Sequence, residues 1–169
     1  MLRRGILIAF LVFSQFIFTT PKVYIEVYVP RVVDGDTFVI RYGSRTDKVR
    51  IIGIDAPESV HPRKPIEYYG PEASQYLKGL LKDRWVILTF DASLRDRYRR
   101  LLATARIGDK SVAADLVTNG YARAYRPYPF KEYLEIVGLD RYSRVMGLGL
   151  WSRGPPKAKG YAQMLGDGQ

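Results

Sequence analysis

Short runs of apolar residues, broken by turn residues, dominate the first two thirds of the chain. Five such runs predict strands, over residues 24–29, 32–40, 48–54, 85–90 and 101–107. The first run ends at Pro30, and an Asp-Gly pair within the second run and Tyr42-Gly43-Ser44 after it are turn signals. The pattern therefore predicts a sheet of about five strands.

Helical spacing replaces strand spacing in the segments that follow. A first helix is predicted to begin near Pro71, a residue suited to a first turn, and its apolar face consists of Tyr76, Leu77, Leu80 and Leu81. Ser111 can cap a second helix, which Asn119-Gly120 would end.

A third helix is predicted over residues 130–146. Its apolar side chains near one face are Leu134, Val137, Tyr142 and Val145. Trp151 is expected to pin the end of this helix, and a tail rich in proline, glycine and lysine follows it. We therefore expect an α+β fold, a five-stranded OB-type β-barrel with about three helices over residues 24–152, and a loose tail over 153–169.

An apolar segment precedes this domain. Arg3 and Arg4 form a short positive region, and residues 6–18 are apolar except for Ser14 and Gln15. This length is typical of a signal peptide rather than a full membrane span, which needs about 20 apolar residues. No Ala-x-Ala cleavage site follows, so a retained membrane anchor stays open beside a cleaved signal peptide for residues 1–20. Either would make the domain secreted or membrane-tethered. A third possibility, a buried element of the domain itself, stays open.

The composition excludes several kinds of catalytic chemistry. The chain has no cysteine, which removes disulfides, thiolate nucleophiles and cysteine-ligated metal sites. His61 is the single histidine and lies in a proline-punctuated basic stretch typical of an exposed loop, so a site with several histidines is impossible. Catalysis would therefore depend on carboxylates and arginines, and any metal would take oxygen ligands.

The charge balance indicates a polyanionic partner. The chain has 27 basic and 17 acidic residues, a formal net charge of +10. Residues 1–20 contribute only two arginines, so the rest of the chain keeps a net charge of +8. A domain this basic attracts nucleic acid or an anionic membrane surface, and charge alone does not separate the two.

Three polar patches are candidates for a site. The first is residues 34–37 (Asp-Gly-Asp-Thr), whose Asp-Gly pair is also an ordinary hairpin signal. The second is Arg50 with residues 55–58 (Asp-Ala-Pro-Glu), which could equally be a strand-ending turn with solvated acids. The third is residues 95–100 (Arg-Asp-Arg-Tyr-Arg-Arg), a run that on its own is typical of a solvated surface.

The second patch has a physical argument of its own. Arg50 alternates with Ile52 and Ile54, so it shares a strand face with apolar side chains, where an unpaired guanidinium would be unfavourable. It should therefore point at a carboxylate or at a substrate anion near the barrel rim. The proline in this patch keeps the residue before it out of the helical region, so the turn can present Asp55 and Glu58 together.

Taken together, the patches suit phosphodiester hydrolysis. Two carboxylates and a backbone carbonyl are hard oxygen ligands of the kind that calcium prefers. A third carboxylate can act as general base for water, and two arginines can bind a phosphodiester and stabilise its transition state. A water nucleophile needs neither histidine nor cysteine, in agreement with the composition.

The order and spacing of these motifs resemble the thermonuclease (staphylococcal nuclease) family. The motifs are Val-Asp-Gly-Asp-Thr at 33–37, Arg50 with 55–58, Tyr-Tyr-Gly-Pro-Glu-Ala-Ser at 68–74, and Asp-Arg-Tyr-Arg-Arg at 96–100. The similarity extends from about Pro30 to Trp151, and His-Pro-Arg-Lys at 61–64 resembles the basic loop near the substrate in that family. The resemblance implies a nuclease on an OB-type barrel, which cleaves single-stranded DNA and RNA to 3′-phosphate products. We expect the protein to be a monomer.

The resemblance also implies a role for each site residue. The implied calcium (Ca2+) ligands are Asp36, Asp55 and the carbonyl of Ala56, completed by water, with Asp34 close to the metal. The implied catalytic residues are Arg50 and Arg100, which would bind the phosphate, and Glu58, which would act as general base or orient the water. The implied substrate contacts are Arg63, Lys64, Tyr98, Tyr125 and Tyr128.

Two regions depart from the family pattern. The family has glycine where this chain has Arg99, and if that position needs a positive φ the arginine costs energy or reshapes the loop. Whether Arg99 or Arg100 reaches the phosphate is therefore open, and the spacing from Asp96 favours Arg100. The alignment around residues 123–128 is ambiguous by one residue, which leaves the base-stacking tyrosine open.

Two other functions would explain part of the sequence. A non-catalytic nucleic-acid-binding module could use the same barrel, but such modules lack the set of carboxylates and arginines present here. A structural protein at a membrane surface would explain the apolar segment and the basic charge. It would leave the spacing of acids and arginines unexplained.

Overall fold

The computed structural model describes residues 24–60, 65–127 and 130–152. The strands in this part of the chain are β1 (Tyr24–Val32), β2 (Thr37–Tyr42), β3 (Arg45–Ile51), β4 (Ile54–Asp55), β5 (Arg84–Arg95), β6 (Leu101–Ile107), β7 (Lys110–Ser111) and β8 (Arg123–Ala124). The helices are α1 (Gly70–Leu81), α2 (Val112–Thr118) and α3 (Tyr133–Val145), followed by a 3-10 turn at Gly149–Trp151. The apolar segment at 1–20 and the tail at 153–169 lie outside the described residues.

Five long strands close into a barrel. Antiparallel pairs give the order β3-β2-β1-β5-β6, and β3 then pairs in parallel with β6, from Val49 opposite Leu101 to Ile51 opposite Ala103. Closure satisfies both edges of the sheet, which would otherwise present unpaired backbone groups. The expected α+β architecture, an OB-type barrel with three helices, is therefore confirmed for the described residues.

Strand alternation fills the inside of the barrel. Its fully or almost fully buried apolar side chains are Val27, Val29, Phe38, Ile40, Val49, Ile51, Val86, Leu88, Ala103 and Ala105. The residues between these positions face away from the barrel interior, so β2 buries Phe38 and Ile40 inside while Thr37, which is itself buried, and the exposed Arg41 lie on the opposite face. The polar and charged residues of β1, β2 and β3 therefore share one outer surface.

The helices cover the barrel as their apolar spacing predicts in two cases. In α1 the buried residues include Ala73, Leu77 and Leu81. In α2 the Ser111 side chain accepts a hydrogen bond of 3.3 Å from the Ala114 amide, which confirms the predicted cap. No helix in the described ranges is long and apolar enough to cross a membrane.

The prediction that the first strand ends at Pro30 is wrong. β1 continues to Val32, and its register with β2 shifts between Tyr28 and Arg31. Such a bulge leaves residues unpaired, so a proline there removes no hydrogen bond from the ladder. The bulge also turns Tyr28 and Arg31 to the same face, because they lie opposite Arg41 and Val39 of β2.

The predicted buried face of the third helix is also wrong. Leu134 is 83% exposed and Val145 is 78% exposed, whereas Ile136, Asp140 and Ser143 are buried. Asp140 faces inward because it accepts hydrogen bonds from the Ala124 amide at 3.3 Å and from the guanidinium of Arg144 at 2.9 Å. This buried carboxylate sets the rotation of α3.

Trp151 packs against the same helix, as expected. It is 6% exposed, and the guanidinium of Arg144 lies 3.7 Å from the centre of its ring system. Arg144 therefore links Trp151 to Asp140, which holds the 3-10 turn against the last turns of α3.

Candidate active site

The loop between β1 and β2 positions the first carboxylates. The amides of Val33 and Asp34 donate to the carbonyl of Thr37, at 2.8 and 3.1 Å, and the Asp36 amide donates to Asp34 Oδ1 at 3.2 Å. Gly35 lies where a Cβ would stand 2.6 Å from that of Ala56 and 2.9 Å from that of Ala73. A side chain at this position would therefore separate the loop from the turn after β4.

Arg50 lies between two of the carboxylates. On β3 it stands opposite Thr37, and its guanidinium pairs with Asp36 through Nη1 and with Asp55 through Nη2, the latter at 3.1 Å. Burial alone would lower the pKa of Arg50, but the two acids together raise it, so the guanidinium stays charged. Arg50 faces carboxylates, as its place on an apolar strand predicts.

Asp36 is the centre of a hydrogen-bonded chain. It is 4% exposed, and its Oδ2 accepts from the Ala56 amide at 3.2 Å, while its Oδ1 accepts from Thr37 Oγ1 at 2.9 Å. The same Thr37 oxygen accepts a hydrogen bond from Arg100 Nη1 at 3.2 Å. Two arginines from distant parts of the chain are therefore joined through one carboxylate and one hydroxyl.

Asp96 orients the guanidinium of Arg100. Its Nε donates to Asp96 Oδ2 at 2.8 Å, and its Nη2 lies 2.7 Å from the same oxygen. Burial alone would raise the pKa of Asp96, but the hydrogen bonds from Arg100 lower it, so this carboxylate is ionised and holds the guanidinium firmly. Arg100 is joined to Asp36 through Thr37, and that Arg100 rather than Arg99 reaches the phosphate stays a prediction.

The turn between β5 and β6 is strained. Arg99 has a φ of 65°, the left-handed conformation that glycine adopts readily and other residues do not. The Arg99 amide donates to the carbonyl of Asp96 at 2.9 Å, and the Asp96 amide donates to the carbonyl of Arg100 at 3.0 Å. The turn therefore keeps its closed shape, and the arginine carries the conformational cost.

Tyr98 projects from this turn. It is 65% exposed, and the guanidinium of Arg100 lies 5.4 Å from its ring centre. Arg97 donates to the Tyr98 hydroxyl at 2.8 Å. An exposed aromatic ring therefore stands beside the second arginine.

A short two-stranded ladder attaches the C-terminal part of the domain to Asp55. β4 pairs with β8, with Ile54 opposite Ala124 and Asp55 opposite Arg123, and the Tyr125 amide donates to the carbonyl of Gly53 at 2.9 Å. The Tyr125 ring centre lies 6.0 Å from the guanidinium of Arg50. This ladder places one of the two candidate base-stacking tyrosines beside the first arginine.

The turn after β4 holds Glu58. Its Oε1 accepts hydrogen bonds from the amides of Ser59 at 3.1 Å and Val60 at 3.0 Å, and its carbonyl accepts from the Glu67 amide at 2.9 Å. A Cβ at Gly70 would lie 2.4 Å from that carbonyl, so glycine is needed where α1 begins. The Glu58 carboxylate is therefore fixed by backbone amides.

The carboxylates of the site affect one another electrostatically. Burial, with repulsion from Asp36 and Glu58, raises the pKa of Asp34 from 3.8 to about 6. Burial also raises the pKa of Asp55, against the opposing effect of Arg50. Crowded acids with raised pKa values are typical of sites that bind a cation or handle protons.

The site carries oxygen donors of the kind that a hard cation such as calcium prefers. Asp34, Asp36 and Asp55 offer carboxylate oxygens, and burial, with repulsion from Asp36, raises the pKa of Asp34. Within the described ranges no three histidine, aspartate or glutamate side chains are grouped closely enough to hold a metal ion, and Arg50 bridges Asp36 and Asp55. Ala56 reaches the group through its amide.

Three predicted substrate contacts, Arg63, Lys64 and Tyr128, lie outside the described residues. Two other residues belong to the site although sequence reasoning assigned them no role. Thr37 joins Asp36 to Arg100, and Arg123 lies between Asp55, at 3.8 Å, and Glu67, at 3.5 Å. A threonine in a motif gives no sign of such a link, and the position of Arg123 depends on the pairing of β4 with β8.

Comparison with known proteins agrees with the geometry. The model of the staphylococcal nuclease homologue family matches residues 48–153. A thermonuclease of Staphylococcus hyicus is 40% identical over 125 residues, covering 72% of this chain and 73% of that protein. A thermonuclease of Staphylococcus intermedius is 36% identical over 126 residues, covering 74% and 75%. Endonuclease YncB of Bacillus subtilis is 35% identical over 135 residues, covering 78% and 64%.

Proposed function

Since the chain belongs to the staphylococcal nuclease family and is a nuclease that hydrolyses phosphodiester bonds, we propose that it is a calcium-dependent endonuclease cleaving single-stranded DNA and RNA to 3′-phosphate products. The observation that carries the proposal is the chain from Arg50 through Asp36 and Thr37 to Arg100. It holds two guanidinium groups at one carboxylate cluster on the outer barrel face. A non-catalytic binding module has no need of this arrangement.

The two arginines bind the phosphate. Each guanidinium presents planar donors that match phosphate oxygens, and each keeps a carboxylate partner, Asp36 or Asp55 for Arg50 and Asp96 for Arg100. The ion pairs fix the guanidinium groups before the substrate arrives, so little reorganisation is needed as charge builds on the phosphoryl oxygens. Arg50 acts in both binding and reaction, and Arg100 acts from the opposite side of Thr37.

Glu58 takes the proton of the attacking water. The amides of Ser59 and Val60 hold the Glu58 carboxylate in place through Oε1, and a positioned carboxylate can act as general base for a water. Its charge reaches Asp34, whose pKa it helps to raise after burial and Asp36, so Glu58 lies within the field of the carboxylate cluster. The water oxygen bonds to phosphorus as the bond between phosphorus and the 5′ oxygen breaks. The phosphate stays on the 3′ side, and the 5′ oxygen takes up a proton and leaves as a hydroxyl.

Calcium is the proposed cofactor, held by Asp36, Asp55 and the Ala56 carbonyl, with Asp34 close by. When bound, it would supply positive charge that stabilises the phosphoryl oxygens and favours ionisation of a water. A metal there would also offset the burial and the repulsion from Asp36 that raise the pKa of Asp34.

Single strands are the proposed substrate because the site presents exposed aromatic rings. Tyr98 and Tyr125 are exposed by 65% and 38%, and each lies beside one of the two arginines. Bases that are not paired can stack on such rings without sequence preference. Arg63, Lys64 and Tyr128 are proposed as further contacts with the strand.

The proposal includes a place of action outside the cytoplasm. The apolar segment at 1–20, led by Arg3 and Arg4, supports export, either as a cleaved signal peptide or as a membrane tether. We also propose that the protein acts as a monomer.

Loss of the general base tests the mechanism. Glu58→Gln keeps the shape of the side chain and removes its ability to accept a proton, so turnover should fall by about 10²–10⁴-fold while binding of single-stranded DNA stays similar or tightens slightly. Glu72→Gln is the matched control, because it removes the same charge from an exposed position in the first turn of α1. Wild-type turnover in Glu58→Gln would disprove the assignment of Glu58 as general base. Absence of cleavage by the wild-type chain would disprove the nuclease activity.

Metal dependence is tested in the same assay. Cleavage of single-stranded DNA should stop in excess chelator and return with calcium. Magnesium should restore it poorly, because magnesium requires a tighter octahedron of ligands. Full activity in chelator would rule out the calcium site.

A further inference from the structure

A row of cations and aromatic rings leaves the site along the outer face of the barrel. Residues directly opposite one another in a ladder point to the same face. Thr37 stands opposite Arg50, and two residues further along β2 Val39 stands opposite both Lys48 and Arg31. Lys48 and Arg31 are exposed and flank a valine that is 9% exposed.

The row ends at two aromatic side chains, Tyr28 and Trp85. Two residues beyond Val39, Arg41 stands opposite Tyr28, and Tyr28 stands opposite Trp85 of β5. The guanidinium of Arg41 lies 4.8 Å from the Tyr28 ring centre, and the rings of Tyr28 and Trp85 meet edge to face at 5.8 Å. Trp85 is nevertheless 60% exposed. A large ring with so much surface in water, fixed at its edge by a second ring, is available for stacking.

We propose that this basic–aromatic track, composed of Arg31, Lys48, Arg41, Tyr28 and Trp85, binds the single-stranded nucleic acid beyond the scissile phosphate, with Trp85 stacking on a base. The inference rests on the proposed function, and it adds a second contact region to the substrate. Positive side chains along the strand's phosphates and an aromatic ring for a base are the two elements of sequence-independent single-strand binding. The track supplies both, in line with Arg50.

The dimensions agree with one continuous strand. Four residues along β2 and two strand spacings from β2 to β5 place Trp85 about 16 Å from the Thr37–Arg50 pair. A footprint of several nucleotides is typical of an OB-type barrel, for which about 4–16 are bound. A substrate of a few nucleotides would therefore occupy the site without reaching Trp85.

The acids near the far end do not interrupt the row. Asp83 accepts a hydrogen bond from the Tyr28 hydroxyl at 3.0 Å and pairs with Lys82 at 3.5 Å. Glu26 lies two residues before Tyr28 on β1, opposite Ile87, and is farther from Arg50 than the Tyr28–Trp85 pair is. From Arg50 to Arg41 the charged side chains of the row are positive, and the two acids lie at its Tyr28–Trp85 end.

The test uses the fluorescence of Trp85 in the full-length chain, with chelator present and the oligonucleotides checked for integrity on a gel. Thymidine oligonucleotides of three and twelve residues are titrated. The longer one should quench tryptophan emission, and the shorter one should bind without quenching. The second tryptophan, Trp151, is 6% exposed and reports the folded state instead.

Variants assign the signal. Trp85→Leu should abolish quenching and weaken binding of the twelve-residue strand by about 5- to 20-fold, the lower part of the range for base–aromatic stacking, with no effect on the three-residue strand. Trp85→Phe keeps a ring and should retain most of the affinity. Arg41→Gln should weaken binding of the longer strand alone. The matched controls are Tyr142→Leu and Arg141→Gln on α3, which should bind as the wild type does.

Three results would overturn the track. The first is equal affinity of wild type and Trp85→Leu for the longer strand, and the second is an equal loss in Tyr142→Leu. The third is a Trp85 emission shift with phosphatidylglycerol vesicles and none with oligonucleotide, which would make this face a membrane surface. Failure of the proposed function is distinguishable, because a chain that cleaves but binds independently of Trp85 refutes the track alone. A chain that binds through Trp85 without cleaving refutes the hydrolysis alone.

Discussion

Replacing Asp34 with asparagine should stabilise the metal-free protein, with the gain developing between about pH 4 and pH 6. Burial and the neighbouring Asp36 raise the pKa of Asp34 from 3.8 to about 6. Above pH 4 the unfolded chain releases this proton while the folded chain retains it, so the stability of the wild type falls as pH rises through the window. Asparagine carries no proton to release, and the D34N variant escapes this loss.

The size of the gain follows from the difference in pKa. About two units at about 1.4 kcal/mol each give close to 3 kcal/mol as the upper bound above pH 6. Asparagine can still accept the hydrogen bond from the Asp36 amide at 3.2 Å, so the loop geometry is kept. Because the repulsion is shared with Asp36, we expect a measured gain of about 1–3 kcal/mol.

The assay is urea unfolding at a series of pH values from 4 to 8 in chelator. The difference between D34N and wild type should be near zero at pH 4 and should reach its plateau above pH 6. Asp47→Asn is the control with the opposite sign, because a hydrogen bond from Arg95 lowers the pKa of Asp47 and the ionised form is stabilising. Parallel stability curves for D34N and wild type, or a D34N variant less stable at pH 8, would refute the reasoning. Calcium should cancel the difference, since a bound cation favours the ionised Asp34.

Three further results are expected. Arg99→Gly should raise the free energy of unfolding by about 0.5–1 kcal/mol in urea, because glycine relieves the positive φ, and an unchanged or lower stability would contradict that strain. Asp140→Asn should lower the free energy of unfolding by about 2 kcal/mol, because Arg126 and Arg144 lose a charged acceptor, and a loss under 0.5 kcal/mol would show that the pairs contribute little. Fractionation of expressing cells should find the domain outside the cytoplasm, starting near residue 21 if the leader is cleaved or pelleting with membranes at full length if it is retained; a cytoplasmic pool would contradict export.

The barrel is predictable because its signals are local. Alternating apolar residues and tight turns specify each strand, and Arg50 on an apolar face requires a counter-charge nearby. The order of the carboxylate and arginine motifs along the chain then predicts which residues form the candidate site. Each strand signal and each single motif can be read within a window of a few residues.

The remaining features depend on contacts between distant segments. The inward face of α3 follows from Asp140 meeting the Ala124 amide, and an apolar pattern with Leu134 and Val145 points to the other face. The extension of β1 past Pro30 follows from a bulge against β2. Arg123 reaches its position only when β8 pairs with β4. Each of these partners lies on a different helix or strand from the residue it affects.

The small ladder of β4 and β8 has a consequence for the energetics of the whole domain. It ties Asp55 to Arg123 at one end, and at the other end Asp140 of α3 holds Ala124 and Arg126. A transient opening of α3 therefore releases the partners of Asp55 even when the barrel stays intact, and any ligand that needs Asp55 in place opposes that opening. Occupancy of the site should thus slow amide hydrogen exchange in α3, a helix whose fluctuations set how often the site is complete.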